Sequence, residues 1–240
     1  MDKSPKRIGE LFDDISPNYD LLNHLLSLSI DVGWRELALK ELAIGDGDVV
    51  LDVATGTGDM ALKARSSADC IIIGIDLSRN MLKAASEKWK ARFPDDGFMV
   101  LQGNALQMPF ADNSFDRSMV AFGIRNMTDI GGFLDEAYRV LRPNGRMAIL
   151  EFSVPPYPVI RQAYLLYLTR ALPFIGGLRS GNRGAYHYLS ESIRRFPSPG
   201  SIEELLVKHR FRTVRSLPLT LGICHLYIIE KDAAEGEPKR

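Results

Sequence analysis

Val49-Val50-Leu51-Asp52-Val53-Ala54-Thr55-Gly56-Thr57-Gly58-Asp59-Met60-Ala61 passes from an apolar, strand-like run through a glycine-rich turn into a helical pattern. The glycines stand where a strand hands over to a helix, the place in an open α/β sheet at which the chain comes closest to a bound nucleotide. Outward from this turn, short apolar runs recur at residues 71–75, 98–101, 118–121 and 147–150. Segments of 3.6-residue period separate most of them, at 60–68, 78–93 and 130–141. Ser78 is placed as an N-cap, and Pro143-Asn144-Gly145 as a stop and turn. Residues 213–219 and 223–230 read as closing strands after a last helix at 201–209, whose Ser201 and Glu204 have the spacing of a capping box. Strands and helices alternating in this way predict a doubly wound, mostly parallel, seven-stranded α/β sheet of the Rossmann-like class.

Two segments fall outside the alternation. Residues 8–44 carry helical spacing interrupted at Pro17 and Gly33 and form an N-terminal helical cap; residues 155–200 bring Pro-Pro-Tyr-Pro, aromatic helix-like sequence and a Ser-Gly-Asn-Arg-Gly loop, an insertion after the fifth strand. The expected layout is one domain over 1–240, with cap 1–44, ligand-binding core 45–154, insertion 155–200, closing helix and strands 201–231 and a flexible tail 232–240.

Composition narrows the partners. Thirty basic and thirty acidic side chains cancel, so no global field draws a nucleic-acid backbone. Cys70 and Cys224 are far apart and build neither a disulfide framework nor a metal knuckle, and no metal is expected. A reducing cytoplasm fits, because the charged first seven residues lack the apolar core of a signal peptide, and the apolar stretch 159–178 is broken by Arg161, Gln162, Arg170 and Pro173.

A G-x-G-x-x-A pattern alone suits a nicotinamide or flavin dinucleotide as well as any other adenosine ligand. Asp59, at the helix N-terminus where a pyrophosphate would sit, repels that anion; Asp52 offers negative charge suited to the ammonium and sulfonium of S-adenosylmethionine. Asp76 ends the second apolar run at the spacing from which an acid accepts both ribose hydroxyls, and Asn104-Ala105 supplies groups for an adenine edge.

With these residues in place, the chain resembles the class I S-adenosylmethionine methyltransferases, specifically the menaquinone/ubiquinone C-methyltransferase family. The resemblance is carried by Phe12-Asp13-x4-Asn18-Tyr19-Asp20-x2-Asn23, Trp34-Arg35, Val50-Leu51-Asp52 with Gly56-Thr57-Gly58-Asp59, and most specifically by Phe122-Gly123-Ile124-Arg125-Asn126. Tyr138-Arg139-Val140-Leu141-Arg142-Pro143, Leu150-Glu151-Phe152-Ser153 and Tyr188-Leu189-x-Glu191-Ser192-Ile193 extend it. It implies cofactor contacts at Asp52, Gly56, Thr57, Gly58, Asp76, Leu77, Asn104, Ala105 and Ala121, the last where many members carry serine. Ser29 and Asn144 stand where glycine is usual.

The implied reaction is methylation of a ring carbon of a polyprenyl hydroquinone, demethylmenaquinol to menaquinol, leaving S-adenosylhomocysteine. Arg125, with Asn126 in support and Tyr19 from the cap, is the expected catalytic group, because a guanidinium stabilises a developing phenolate. Tyr19, Asp20, Phe122 and Arg125 are the expected acceptor contacts. No His-Asp pair stands out as a base; His24, His187, His209 and His225 are scattered. Residues 164–168 with Phe174 and Ile175 are apolar enough to line a channel for the prenyl tail, although such a stripe is more often core, and contact with the inner face of the membrane follows from such an acceptor. A homodimer is compatible with the pattern. The competing readings are a methyltransferase for another phenolic or lipidic molecule, a NAD-dependent oxidoreductase, and a non-catalytic protein keeping a cofactor fold.

Overall fold

The computed structural model describes residues 2–16, 19, 27, 29–173 and 183–233. Seven strands form its centre: β1 (Val49–Val53), β2 (Ile71–Asp76), β3 (Met99–Gln102), β4 (Phe115–Ala121), β5 (Leu141–Phe152), β6 (Phe211–Leu219) and β7 (Cys224–Lys231), in the order β3-β2-β1-β4-β5-β7-β6. Strands β1 to β5 pair in parallel, and β7 runs antiparallel to both β5 and β6. The mostly parallel, doubly wound sheet expected from the alternation is present. From β1 the chain winds outward through β2 to β3, then returns to the other side of β1 for β4 and β5. The carboxyl ends of β1 and β4 therefore flank a topological switch point, where such sheets leave a crevice.

Helices cover both faces, which is why β1 and the last six residues of β5 are almost wholly buried apolar runs. On one face α2 (Asp31–Leu42), α3 (Asp59–Ser67) and α4 (Arg79–Arg92) contribute Trp34, Leu42, Met60 and Trp89 to an apolar cluster; on the other, α5 (Ile130–Val140) and a later helix close a second. The cause is plain in α5. Phe133, Leu134, Ala137 and Val140 recur at helical spacing and are fully buried, and each large apolar side chain so removed from water stabilises the fold by about 1.5–3 kcal/mol. Asp129 caps the helix by accepting from the Gly132 N–H at 3.0 Å.

Between β5 and the last helix lie α6 (Pro158–Leu166), a π-helical turn (Tyr167–Ala171) and α7 (Arg183–Arg195). Tyr164 and Leu168 are 6% and 0% exposed and belong to the core, so these two residues pack against the sheet instead of lining a tail channel. Phe174 and Ile175, expected to share that channel, lie outside the described residues. The last helix, α8 (Pro199–Lys208), starts earlier than the Ser201–Glu204 spacing implies. Pro199 takes the first turn, where a missing N–H matters least, and the cap is Ser198, whose Oγ accepts from the Ser201 N–H at 3.3 Å. Pro143-Asn144-Gly145 does not separate helix from strand: Asn144 has φ 61° and the register with β4 shifts between Phe115 and Arg117, so the turn is a bulge within β5.

The N-terminal helix α1 (Pro5–Ile15) is tied to α4 by one carboxylate. Asp13 Oδ1 accepts from Ser78 Oγ at 2.6 Å and from the Asn80 N–H at 3.0 Å, while Ser78 caps α4 by accepting from the Met81 N–H at 3.1 Å. Asp13→Ala is expected to lower stability by about 1–3 kcal/mol, with amide exchange across 5–15 accelerated before that of the sheet. Unchanged protection of those amides would show that packing alone holds α1.

Candidate active site

The switch point opens into a cavity of about 700 Å³, open solvent at its mouth included. Four successive strand ends supply its wall: Gly56 after β1, Asp76 and Leu77 after β2, Asn104 and Ala105 after β3, Phe122 and Asn126 after β4. The N-terminal segment closes it with Lys3, Ile8, Phe12 and Tyr19.

Asp76 is held rigidly. Its Oδ2 accepts from the Gly56 N–H at 2.9 Å and its Oδ1 from the Ser78 N–H at 2.8 Å, and each oxygen can accept once more. That remaining capacity suits two neighbouring ribose hydroxyls. Burial pushes its carboxyl up to about 6, against the pull of the Ser78 and Gly56 amides. Gly56 has φ 55°, and a Cβ there would stand 3.5 Å from Tyr19 Cε1, so glycine both takes the left-handed conformation and keeps the space between turn and ring. Asn104 Oδ1 accepts from the Leu106 N–H at 3.0 Å, an Asx turn that fixes the strand-end backbone on the cavity wall. A carboxylate for a ribose diol, strand-end backbone for an adenine edge and a glycine floor fit S-adenosylmethionine.

Four expected cofactor residues do not line this cavity. Asp52 is 1% exposed and accepts from Thr55 Oγ1 at 2.6 Å; burial pushes its carboxyl up to about 7, against the Thr55 hydrogen bond. It braces the turn from behind. Thr57 is 2% exposed, with its Oγ1 accepting from Lys88 Nζ at 3.0 Å. Gly58 is the N-cap of α3 with φ 82°, and a Cβ on it would come 3.1 Å from that of Ala85. Ala121 pairs with Leu150 within the sheet. Lys88 Nζ also stands 2.8 Å from Asp59 Oδ1. The acid expected to repel a pyrophosphate is thus neutralised by a cation from the next helix, and Asp59 by itself excludes no dinucleotide.

On the acceptor side, Arg125 is not among the residues that line the cavity. Its side chain is 3% exposed, with Nη1 2.8 Å from Glu151 Oε1 and a second hydrogen bond to the Phe122 carbonyl. Burial pulls the guanidinium down and the Glu151 carboxylate more than offsets this, leaving it above its ordinary range. Arg125, expected to contact the acceptor, is here held by Glu151 and the Phe122 carbonyl, so that its guanidinium pins the turn that carries Phe122 and Asn126. Phe122 itself has φ 60°. Asn126 does face the cavity, with Oδ1 accepting from Tyr188 Oη at 2.9 Å. Burial pushes the Tyr188 phenol up to about 12, so it remains a donor there. Asp20 lies outside the described residues.

Lys3 and Glu151 have no marker in composition or periodicity as site residues. Lys3 Nζ donates to the Arg125 carbonyl at 2.6 Å, and burial first, then Arg125, lowers its ammonium from the ordinary value. The three described histidines stand elsewhere: His225 is bonded to Ser216, His209 to Asp135, and His187 is exposed beside Glu191. Both thiols are free and buried, and among the described residues no group of His, Cys, Asp and Glu could hold a metal ion.

Known proteins resemble this chain in sequence and in fold. A curated ubiquinone/menaquinone biosynthesis C-methyltransferase of Geotalea daltonii is 41% identical over 94% of this chain and 97% of its own length. A demethylmenaquinone methyltransferase of Thermus thermophilus is 42% identical over 91% of this chain and 98% of its own. Among solved structures, an S-adenosylmethionine-dependent methyltransferase of Aquifex aeolicus superposes with a TM-score of 0.59 at 20% identity, covering 82% of this chain and 88% of that one, a likeness of fold. The sequence profile of the ubiE/COQ5 methyltransferase family matches residues 1–231, and the chain belongs to that family, whose members take their methyl group from S-adenosylmethionine.

Proposed function

We propose that the chain methylates a ring carbon of a polyprenyl hydroquinone, converting demethylmenaquinol to menaquinol in the cytoplasm at the inner face of the membrane. The observation that carries this reading is the composition of one cavity: the Asp76 carboxylate on one wall, and the Tyr19 and Phe122 rings with Asn126 on another. The names of the Geotalea and Thermus relatives support the acceptor.

When bound, the sulfonium supplies an electrophilic methyl. A bond forms from that carbon to the ring carbon, the carbon–sulfur bond breaks, and one proton is released to water. Tyr19 on the cavity wall borders the acceptor ring and shortens the search for an in-line approach, while the Phe122 ring, stacked on Phe152, anchors the turn from within the core. Asn126, its amide oriented by Tyr188, presents polar atoms to a ring hydroxyl. The half-buried ammonium of Lys3 favours negative charge on the acceptor, and the Arg125–Glu151 pair holds the turn in register.

The test is transfer of a radiolabelled methyl to a short-chain demethylmenaquinol. Asn126→Ala is expected to lower kcat about 100-fold while S-adenosylhomocysteine binding, by calorimetry, changes by less than about threefold. Turnover unaffected by that substitution would remove Asn126 from the mechanism. Cofactor binding without turnover of this acceptor by the unaltered protein would remove the acceptor.

A further inference from the structure

Six of the ten large apolar side chains exposed among the described residues gather on three segments. Tyr157, Val159 and Leu166 stand at α6, Leu221 on the 3₁₀ turn Thr220–Gly222 between β6 and β7, and Ile30 and Val32 at the start of α2. Val159 is 80% exposed and Leu221 61%.

Contacts place these segments side by side. Trp34 Nε1 donates to Thr220 Oγ1 at 3.0 Å, joining α2 to the turn. The Gly222 carbonyl accepts from Ser153 Oγ at 2.7 Å, and a Cβ on Gly222 would come 2.8 Å from Pro156 Cδ, joining the turn to the chain that leads into α6. The turn is strained: Thr220, Leu221 and Gly222 have φ of 46°, 58° and 86° in succession. Leucine rarely adopts this conformation, yet here it holds an apolar side chain out in water. The rim also touches the cavity wall, because the Trp34 ring lies tilted against Phe122 with centroids 6.4 Å apart.

Charge indicates what covers it. No Asp or Glu occurs from residue 153 to 190, in a chain with 30 acids among 240 residues, whereas Arg161, Arg170, Arg179 and Arg183 all fall in that stretch. An apolar rim backed by cations, whose acid at the start of α2, Asp31, is 1% exposed and paired with Arg35, complements an anionic lipid surface.

We propose that α6, the Thr220–Gly222 turn and the start of α2 together form the face on which the protein seats on an anionic phospholipid bilayer. Leu221, Val159 and their neighbours enter the headgroup boundary, and the exposed Arg161 and Arg170 meet the phosphates. The proposal rests on the acceptor being a bilayer-resident hydroquinone, and it deepens that reading by naming the surface through which the acceptor is reached.

The experiment is flotation of the full chain with vesicles of phosphatidylcholine alone or mixed with phosphatidylglycerol, for the unaltered protein and for the Val159→Asp, Leu221→Asp double variant. The unaltered protein is expected to float with the anionic vesicles. The variant, whose substitutions lie on exposed positions, is expected to partition about tenfold more weakly and to methylate vesicle-embedded long-chain acceptor correspondingly more slowly, with short-chain acceptor in solution methylated at the original rate. Unaltered protein that stays soluble with anionic vesicles, or a variant that floats as well, overturns the proposal. So does a dimer that the substitutions dissociate, which would assign the rim to a second copy of this chain. If vesicle binding and its loss are observed but no demethylmenaquinol is methylated, the membrane face stands and the acceptor reading falls.

Discussion

Glu151→Ala is expected to destabilise the protein by about 3–5 kcal/mol and to lower its melting temperature by roughly 6–20 °C, at about 2–4 °C per kcal/mol for a chain of this size. The Glu151 side chain is 1% exposed and answers three donors: Arg125 Nη1 at 2.8 Å, the Arg125 N–H at 3.2 Å and the Phe152 N–H at 2.8 Å. Alanine leaves all three without that acceptor and strands a guanidinium beside the Phe152 ring, 5.5 Å from its centroid, with a carbonyl as its remaining partner. An uncompensated charge in such surroundings is among the largest single penalties a fold can carry.

A paired substitution separates stability from chemistry. Arg125→Met with Glu151→Leu removes both charges and keeps most of the volume, so melting is expected to recover most of the loss. Methyl transfer is not expected to recover, because the turn from Phe122 to Asn126 then lacks the hydrogen bonds that orient Asn126. Thermal melts of the three proteins and the methyl-transfer assay give both readouts. Glu151→Ala melting within about 3 °C of the unaltered protein would show that the ion pair contributes little, and recovery of activity in the double variant would show that it does not position the site.

What was legible in the sequence followed short-range rules. The positions of the seven strands, the Ser78 cap and Asp76 at a strand end each depend on neighbours within a few residues and stand as read, although β4 begins earlier and β5 runs from Leu141 to Phe152 through the segment read as a turn. Ser29 and Asn144, where the family resemblance leads one to expect glycine, have φ of 64° and 61°, so those positions demand a left-handed backbone whatever residue fills them. What was illegible depends on contacts between residues far apart in the chain. Lys88 neutralises Asp59 from 29 residues away, and Glu151 captures Arg125 across 26; no period or spacing announces either pair. The sequence pattern leaves Leu221 in the connection between the closing strands, and says nothing of the left-handed turn that holds it exposed. Of the stripe 164–168, readable either as core or as a channel lining, residues 164 and 168 are core.

Asp76→Ala is expected to weaken S-adenosylhomocysteine binding by about 100- to 10,000-fold, since two hydrogen bonds to a carboxylate contribute roughly 1.5–3 kcal/mol each in partly desolvated surroundings. It also leaves the Gly56 and Ser78 amides without the acceptor that fixes the glycine turn. Asp76→Asn keeps the shape but only one acceptor oxygen, so it is expected to fall between. The pH dependence supplies a second readout with a definite sign. The carboxyl, raised by burial from 3.8 to about 6, binds more protons folded than unfolded between those values. Folding stability from this group therefore declines as pH rises through that window and levels off above it. Cofactor binding runs the other way, because ribose hydroxyls need the ionised form as a double acceptor: affinity should climb towards a plateau above about pH 6, by up to about tenfold per pH unit below it. Asp52, raised to about 7, remains in every variant, so flattening of the profile in Asp76→Asn assigns the titration to Asp76. Calorimetry at several pH values decides it: an Asp76→Ala dissociation constant within about threefold of the original would mean that the strand-end backbone, and not this carboxylate, recognises the ribose.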